Sequence, residues 1–367
     1  MRGGRVAGTA DTGMTGAVGS SDLVGVVMLR RRPGSPTLEE VAALAGVGRG
    51  TVSRVINNAA GVKDTTRRAV QRAIAELGYV PNLAARTLAG RRADAVALVM
   101  TEPDWRQFGE PFFSEIVRSV GDALTETEVQ LLLTLVRTDA ERQRLVEYAR
   151  GGRVDGVMLM SVHATDPLPD MLAEVGLPTV LLGRRSGDES VTYVDADNVG
   201  GARAAVSHLL GTGRRAIATI TGPPDMYVAQ CRLRGYREAM ERAGVEARES
   251  WTVQGDFSAD SGHRAMAELI ERAPEIDGVF AASDTMAVGA LGALRAAGRR
   301  VPDDVAVIGF DDFPLAQHTD PKLTTVRQPL EEIGHTMVRL LLEEMEEPSA
   351  AWRHVIHRTE LVLRGSA

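Results

Sequence analysis

Two patterns of apolar positions divide the chain near residue 93. Before it, apolar residues recur at the three- and four-residue spacing of short amphipathic helices, which glycines such as Gly46 and Gly78 end. After it, continuous apolar runs such as Ala95–Met100 and Gly156–Met160 alternate with amphipathic helical segments. Because strands covered on both faces are apolar throughout, this alternation predicts parallel sheets with helices on both faces. The number of strands, about ten, is too large for one small domain and favours two α/β lobes.

Three short helices are predicted before this core. Thr37 can cap the first helix, with Glu40 as its capping-box partner three residues later. The second helix is expected from about Arg49 to Ile56, and the third from Asp64 or Thr65 to Leu77. Residues 1–35 are rich in Gly, Ser and Thr, and we expect them to form a disordered tail.

The turn Gly46-Val47-Gly48 joins the first two helices in the manner of a helix-turn-helix. A tight glycine turn lets the helices cross steeply, so that the second can enter the major groove of DNA. Arginine suits a bidentate contact with guanine, and Ser or Thr suits phosphates. The exposed positions of this helix are predicted to contact DNA: Arg49, Gly50, Thr51, Ser53 and Arg54. An ordinary helical hairpin is the alternative.

Charge separates the same two regions. Residues 29–92 hold twelve Lys/Arg against four Asp/Glu, a net charge of +8, while residues 1–28 balance. Since the whole chain carries −7, residues 93–367 carry −15. A basic module on an acidic body is typical of DNA binding, although a solvated basic face would look the same.

Cysteine content and hydropathy bear on location. Cys231 is the only cysteine, so an intramolecular disulfide is impossible. No apolar run approaches the roughly 18 residues of a membrane span, and the N-terminus lacks the apolar core of a signal peptide. We therefore expect a cytoplasmic protein.

Three segments of the head carry a family resemblance, and these are Thr37–Val47, Thr51–Asn57 and Thr65–Gly90. They closely resemble the lactose/galactose-repressor family of transcription regulators, and the similarity continues to about Gly365. It implies an N-terminal all-α helix-turn-helix head with a hinge helix, followed by a two-lobed α/β core like that of periplasmic sugar-binding proteins. The implied domains are a tail at 1–35, a head at 36–81, a hinge helix or linker at 82–92, and an effector-binding and dimerisation core at 93–367. Lobe 1 is expected at about 93–196 and 326–348, and lobe 2 at about 197–325 and 349–367.

The resemblance adds DNA-binding residues outside the second helix, and these are Thr37, Asn57, Asn82, Ala85 and Leu88. Leu88 matches a hinge-helix leucine that wedges into the minor groove, where an apolar side chain can unstack a base step. A plain apolar face on a linker helix is the alternative. Gly48 and Gly50 depart from the family, which usually has a capping serine and a longer base-reading side chain there.

The resemblance also implies a set of ligand-binding residues, and these are Phe112, Phe113, Arg184, Arg232, Phe257, Ser283, Asp284 and Asp311. Aromatic faces and charged planar groups suit a hydroxyl-rich ligand such as a sugar. Alternatives are that Phe112 or Phe113 belongs to the core, that Arg184 forms a surface ion pair, and that Asp284 caps the next helix.

The predicted function is a homodimeric, sequence-specific transcription regulator, expected to be a repressor that binds a pseudo-palindromic DNA operator. A small effector between the lobes, expected to be a sugar or sugar derivative, would control it allosterically. The chain has no metal-spaced His/Cys cluster, nucleophile elbow or phosphate-binding loop, so no catalytic residue, metal or cofactor is expected. The alternative is a sugar-type solute-binding protein, which would not need residues 37–90.

Overall fold

The computed structural model describes residues 36–56, 59–79, 92–101, 111–349 and 351–367. Contacts divide the chain into two compact units, Met1–Asn82 and Leu83–Ala367. The predicted tail, nearly all of the predicted hinge helix, and four predicted DNA-binding residues lie outside the described residues; the four are Asn57, Asn82, Ala85 and Leu88. No helix among the described residues is long and apolar enough to span a bilayer.

The head consists of three helices, α1 (Leu38–Ala45), α2 (Arg49–Ile56) and α3 (Asp64–Leu77). Thr37 and Glu40 form the predicted capping box at the start of α1. Gly46 ends that helix with φ of 66°, a left-handed conformation that glycine adopts without a Cβ clash. The apolar faces of the three helices close a small core, which contains Val41, Ala42, Val52, Val55, Val70, Ala73 and Tyr79.

The first lobe is built on a six-stranded, fully parallel sheet. Its strands, in spatial order, are β2 (Gln130–Leu135), β1 (Ala95–Met100), β3 (Gly156–Met160), β4 (Thr179–Leu182), β5 (Thr192–Ala196) and β11 (His354–His357). Its helices are α4 (Pro111–Leu124), α5 (Asp139–Arg150), α6 (Leu168–Glu174) and α11 (Leu330–Glu346), and α11 packs against α4.

The second lobe repeats this plan. Its strands, in spatial order, are β7 (Thr252–Gln254), β6 (Ile217–Thr221), β8 (Gly278–Ala281), β9 (Ala306–Asp311), β10 (Thr324–Arg327) and β12 (Glu360–Val362). Only β12 runs antiparallel to its neighbour among these strands. The helices are α7 (Asn198–Gly211), α8 (Tyr227–Arg242), α9 (Ala259–Arg272) and α10 (Asp284–Ala296), with 3₁₀ turns at Glu249–Trp251 and Pro314–Gln317.

Within the described residues, the chain crosses between the two sheets three times, after β5, after β10 and between β11 and β12. The third crossing corrects the predicted lobe boundaries, which assigned all of residues 349–367 to lobe 2. Residues 354–357 instead pair with β5 in the first sheet, where the ring of His354 stacks on Tyr193 at 4.2 Å. A four-residue edge strand whose residues are exposed or half-buried carries no sequence signal for one sheet over the other.

Candidate functional site

A cleft lies where the carboxyl ends of the two parallel sheets meet, and it consists of two adjoining chambers. Open α/β sheets bind ligands at this position, because side chains from several strand ends converge there. The two chambers share five lining residues, which are Phe112, Ser161, Met226, Val228 and Arg232.

The first chamber is mainly apolar. Phe112 and Phe113 begin α4 and meet edge to face, with ring centroids 5.8 Å apart. Phe113 is 4% exposed and joins the first lobe's core, as the alternative reading of this residue anticipated. The remaining residues that line only this chamber are Phe257, Ser283, Thr285, Asp311 and Phe313.

Phe257 enters this chamber from the loop after β7. Its backbone has φ of 68°, a conformation that side chains with a Cβ rarely adopt and that costs about 1–2 kcal/mol. The ring lies directly against Gly222, where a Cβ would come within 2.1 Å of the ring's Cζ. Gly222 therefore provides the space that lets an aromatic ring line the cleft wall.

The second chamber is polar. Arg184 donates from Nε to Asp195 at 3.2 Å and from Nη1 to the Tyr193 hydroxyl at 2.8 Å. Its guanidinium also lies over the rings of Tyr193 and Tyr227, at 4.9 and 5.1 Å from their centroids. Burial raises the pKa of Asp195, and the positive charge of Arg184 opposes that rise. These contacts make Arg184 part of the cleft wall rather than of a surface ion pair.

Arg232 lies at the junction of the chambers and is 4% exposed. It donates to Asn198 Oδ1 at 2.9 Å and to the carbonyl of Ala282, and it forms an ion pair with Asp311 at 3.2 Å. Its guanidinium stacks on the Phe310 ring at 3.8 Å. Burial lowers the pKa of Arg232, but the carboxylate of Asp311 counters this, so a charged, oriented donor faces the cleft.

Asp284 is the one predicted ligand-binding residue that lines neither chamber. It is fully buried, and its carboxyl accepts the Phe313 amide at 2.9 Å and the Thr325 hydroxyl at 2.5 Å. Burial, and next to it the charge of Asp311, raises the pKa of this carboxyl well above its ordinary value. Asp284 therefore fixes the loop that carries Phe313. The alternative role as a helix cap belongs to Ser283, whose hydroxyl accepts the Met286 amide.

Several cleft residues were not predicted, and these are Ser161, Val162, Leu182, Gly183, Asp195, Ala196, Asn198, Met226, Tyr227, Val228, Thr285, Phe313 and Gln328. Some of them could have been found from the sequence. Ser161 directly follows β3, and Asn198 comes shortly after β5, and the carboxyl ends of both strands face the cleft. Gln328 directly follows β10 in the same way. Its amide donates to Asp311 at 2.6 Å.

Helix α2 presents the second candidate surface. Arg49 and Gly50 are exposed, Thr51 and Ser53 are half-buried, and the opposite face of the helix lies in the head's core. Arg49 pairs with Glu39 at 2.8 Å, but both side chains are more than half exposed, so this pair holds Arg49 only weakly. Thr37 is exposed at the capping box.

Arg54 hydrogen-bonds within the head in this structure, and its contact with DNA stays a prediction. Its guanidinium donates to the carbonyl of Ala60 at 3.1 Å, and Arg67 donates to the adjacent carbonyl of Ala59 at the same distance. Two arginines thus satisfy carbonyls of the loop between α2 and α3. Arg54 remains an exposed cation, but its geometry in this structure serves the loop.

Neither departure from the family pattern is forced by space. A Cβ at Gly48 or at Gly50 would meet nothing within 4 Å. No steric constraint within the described head therefore requires glycine at these two positions.

Metal binding has no support in the described part of the chain, where no three His, Cys, Asp or Glu side chains converge. The cleft's polar groups are instead oriented by one another, as in the set of Arg232, Asn198, Asp311 and Gln328. Such a set is suited to hydrogen-bonding a neutral polar ligand.

Comparison with known proteins matches both units. Residues 37–82 match the family described as bacterial regulatory proteins, lacI family, and residues 206–367 match the periplasmic binding protein-like domain. The HTH-type transcriptional regulator CelR of Thermobifida fusca is 53% identical over 341 residues, which cover 92% of this chain and 100% of that protein.

Two solved structures extend the comparison. A transcriptional regulator CelR–cellobiose complex is 51% identical with a TM-score of 0.72, over 90% of this chain and 100% of that chain. A lac repressor dimer bound to operator and the anti-inducer ONPF is 27% identical with a TM-score of 0.80, over 90% and 98% of the two chains. The predicted all-α head and two-lobed α/β core are thereby confirmed.

Proposed function

Because this chain belongs to the lacI family of bacterial regulatory proteins, we propose that it is a homodimeric repressor whose hold on a pseudo-palindromic operator is controlled by a disaccharide bound in the cleft. The alternative of a sugar-type solute-binding protein loses its support. The chain's relatives regulate transcription rather than catalyse reactions, and the matched head at residues 37–82 has no role in a transport-associated solute-binding protein.

DNA contact is assigned to the exposed side of α2 and to the segment that follows the head. Arg49 would read a base edge, while Thr37, Thr51 and Ser53 would hold phosphates. Gly50 allows close backbone approach, and Arg54 would have to leave the Ala60 carbonyl to reach DNA. The resemblance extends this set to Asn57, Asn82, Ala85 and Leu88. Two heads in a symmetric dimer would place their helices on two half-sites of a palindrome.

A two-ring sugar suits the cleft better than a single ring. The apolar chamber offers the face of Phe257 to the C–H surface of one ring. The polar chamber offers Arg184, Asn198 and Gln328 to the hydroxyls of a second ring. The similarity to the CelR–cellobiose complex supports a β-linked glucose disaccharide of the cellobiose type.

The switch would act through the relative position of the lobes. Both chambers are lined from both lobes, for example by Phe112 of the first and Arg232 of the second. A ligand that contacts both favours one relative position of the lobes, and its differential affinity sets how far the equilibrium moves. We propose that the ligand is an inducer, so that its binding releases the operator. Because its binding partner would be chromosomal DNA, the protein would work in the cytoplasm.

The observation that carries this proposal is the pairing of aromatic and charged planar groups across one interlobe cleft, in a chain that also has a helix-turn-helix head. The test is to bind the purified full-length protein to a genomic fragment library at near-physiological salt, with and without cellobiose, glucose or ribose. Enrichment of one palindromic sequence, lost when cellobiose is added but retained with glucose, is the expected result.

Two controls make the outcome specific. Arg49→Ala should abolish enrichment of the palindromic sequence while leaving cellobiose binding, measured by calorimetry, intact. Arg184→Gln should abolish cellobiose binding while leaving the enrichment intact. Sequence-blind, salt-sensitive DNA binding by the wild type would refute the operator assignment. Enrichment that no sugar changes would refute the effector assignment alone.

A further inference from the structure

One contact between the lobes stands apart from the chain crossings. His163, in the loop after β3 of the first lobe, meets Asp225 of the second lobe, with Nδ1 and Oδ2 2.7 Å apart. Directly beside it, the Ala164 amide donates to the Asp225 carbonyl at 2.8 Å. Side chain and backbone therefore join the same two loops.

The strand order shows why this contact is sensitive to opening. The crossings leave from β5 and β11 on one edge of the first sheet and from β10 and β12 on the same edge of the second. β3 is two strands away from β5, and β6, which precedes Asp225, is three strands away from β10. At about 4.8 Å per strand, the contact lies roughly 10–14 Å from the crossing edge.

Contacts nearer that edge move less when the lobes rotate about the crossings. Phe313 follows β9, next to β10, and packs into the apolar cluster of the first lobe. The loops of His163 and Asp225 have a longer lever arm than Phe313, so a given rotation displaces them further.

We propose that His163 and Asp225 form a latch that stabilises the closed cleft and thereby strengthens effector binding. The geometry of the latch is independent of the ligand's identity, but its effect on effector affinity rests on the proposed function. Neither residue lines a chamber, so they act as positioning residues and not as ligand contacts.

The expected magnitude follows from exposure. The side chain of His163 is 18% exposed and that of Asp225 is 56% exposed. A partly solvated polar pair of this kind contributes about 0.2–1 kcal/mol, which corresponds to a factor of about 1.5 to 5 in an equilibrium constant. Asp225→Ala removes the side-chain partner, while the carbonyl of residue 225 still accepts the Ala164 amide.

The primary test needs no ligand. Residue-resolved hydrogen exchange of the Ala164 amide is measured in the full-length wild type, Asp225→Ala, His163→Gln and the double variant. We expect exchange of this amide to become about 1.5- to 5-fold faster in Asp225→Ala, with the double variant no faster than the faster single variant. Asp225 is remote in sequence from Ala164, so the intrinsic exchange rate of the amide is unchanged by that substitution.

Asp122→Ala is the matched control, because Asp122 is 57% exposed and pairs with Arg118 within α4 of one lobe. It should leave Ala164 exchange unchanged. A second measurement, cellobiose titration, should show affinity falling by the same factor in the latch variants and not in the control. Unchanged exchange in Asp225→Ala, or additive effects in the double variant, would overturn the latch. Altered exchange in a protein that binds no cellobiose would keep the latch and reject the effector.

Discussion

Gly222→Ala isolates the aromatic wall of the cleft. The added Cβ would lie 2.1 Å from Phe257 Cζ and 2.6 Å from both Cε atoms. Non-bonded carbons settle at about 3.5–4.0 Å, so the ring has to move by roughly 1.4 Å or more. Since the ring lines the cleft, retreat from residue 222 takes it toward the effector or out of the cleft wall altogether.

The size of the effect follows from the contact that is lost. A ring face against a sugar covers roughly 50 Å² of apolar surface, worth about 1.3 kcal/mol at 25 cal/mol per Å². Loss of that contact alone weakens cellobiose binding about tenfold, and intrusion of the ring into the ligand's space weakens it further. Binding of operator DNA without ligand should stay within twofold of wild type, because the head is untouched.

Calorimetric titration of cellobiose into the wild type and four variants checks this reasoning. Gly211→Ala is the steric control, since a Cβ there would meet nothing within 4 Å. Phe257→Leu removes the ring, and adding Gly222→Ala to it should cost little more, because both act through one side chain. Wild-type affinity in Gly222→Ala, or full additivity in the double variant, would refute the steric link.

Two further predictions concern the head and the buried ion pair. Gly50→Ala should stabilise the head by about 0.5–1 kcal/mol, since it replaces a helical glycine whose added Cβ meets no other atom. Gly46→Ala should destabilise the head, because residue 46 has a φ of 66°. Thermal unfolding in which both variants shift the stability in the same direction would contradict this. Arg232→Ala should destabilise the core by about 3–5 kcal/mol, because it leaves the Asp311 carboxylate buried without its cation. Arg232→Lys should keep the fold but lose cellobiose binding. Urea unfolding with a parallel ligand titration separates the effect on stability from the effect on ligand binding. An Arg232→Ala variant whose core is as stable as that of the wild type would contradict the predicted destabilisation.

Local signals in the sequence were sufficient to predict the helices whose ends they mark. Helix α2 runs from Arg49 to Ile56 as predicted, because Gly48 precedes it and Val52 and Val55 fix its buried face. Helix α8 begins at Tyr227, and the residue before it, Met226, provides no side-chain cap. A helix that begins without a capping side chain leaves no local signal at its first turn.

Residues placed by long-range pairing were beyond sequence reasoning. Seven of the eight predicted ligand-binding residues line the cleft, and their contact with a ligand stays a prediction. Asp284 does not line it, because its carboxyl turns to the Phe313 amide and the Thr325 hydroxyl, which strand pairing brings close. Arg54 is diverted in the same way by a loop carbonyl. Polar side chains can be assigned to a region from sequence, but their partners depend on the packed structure.

The crossings and the latch together restrict how a ligand can act on this protein. Three crossings at one edge allow the lobes to rotate about that edge, and the contact of His163 with Asp225 lies two to three strands away from it. A ligand that binds both rotational states equally shifts nothing, however tightly it binds. Effective control therefore requires contacts that only one rotation brings together, such as Phe112 from one lobe and Phe257 from the other. On the proposed function, we expect a sugar ring between those aromatics to drive the switch, and the polar chamber to decide chiefly which sugar enters.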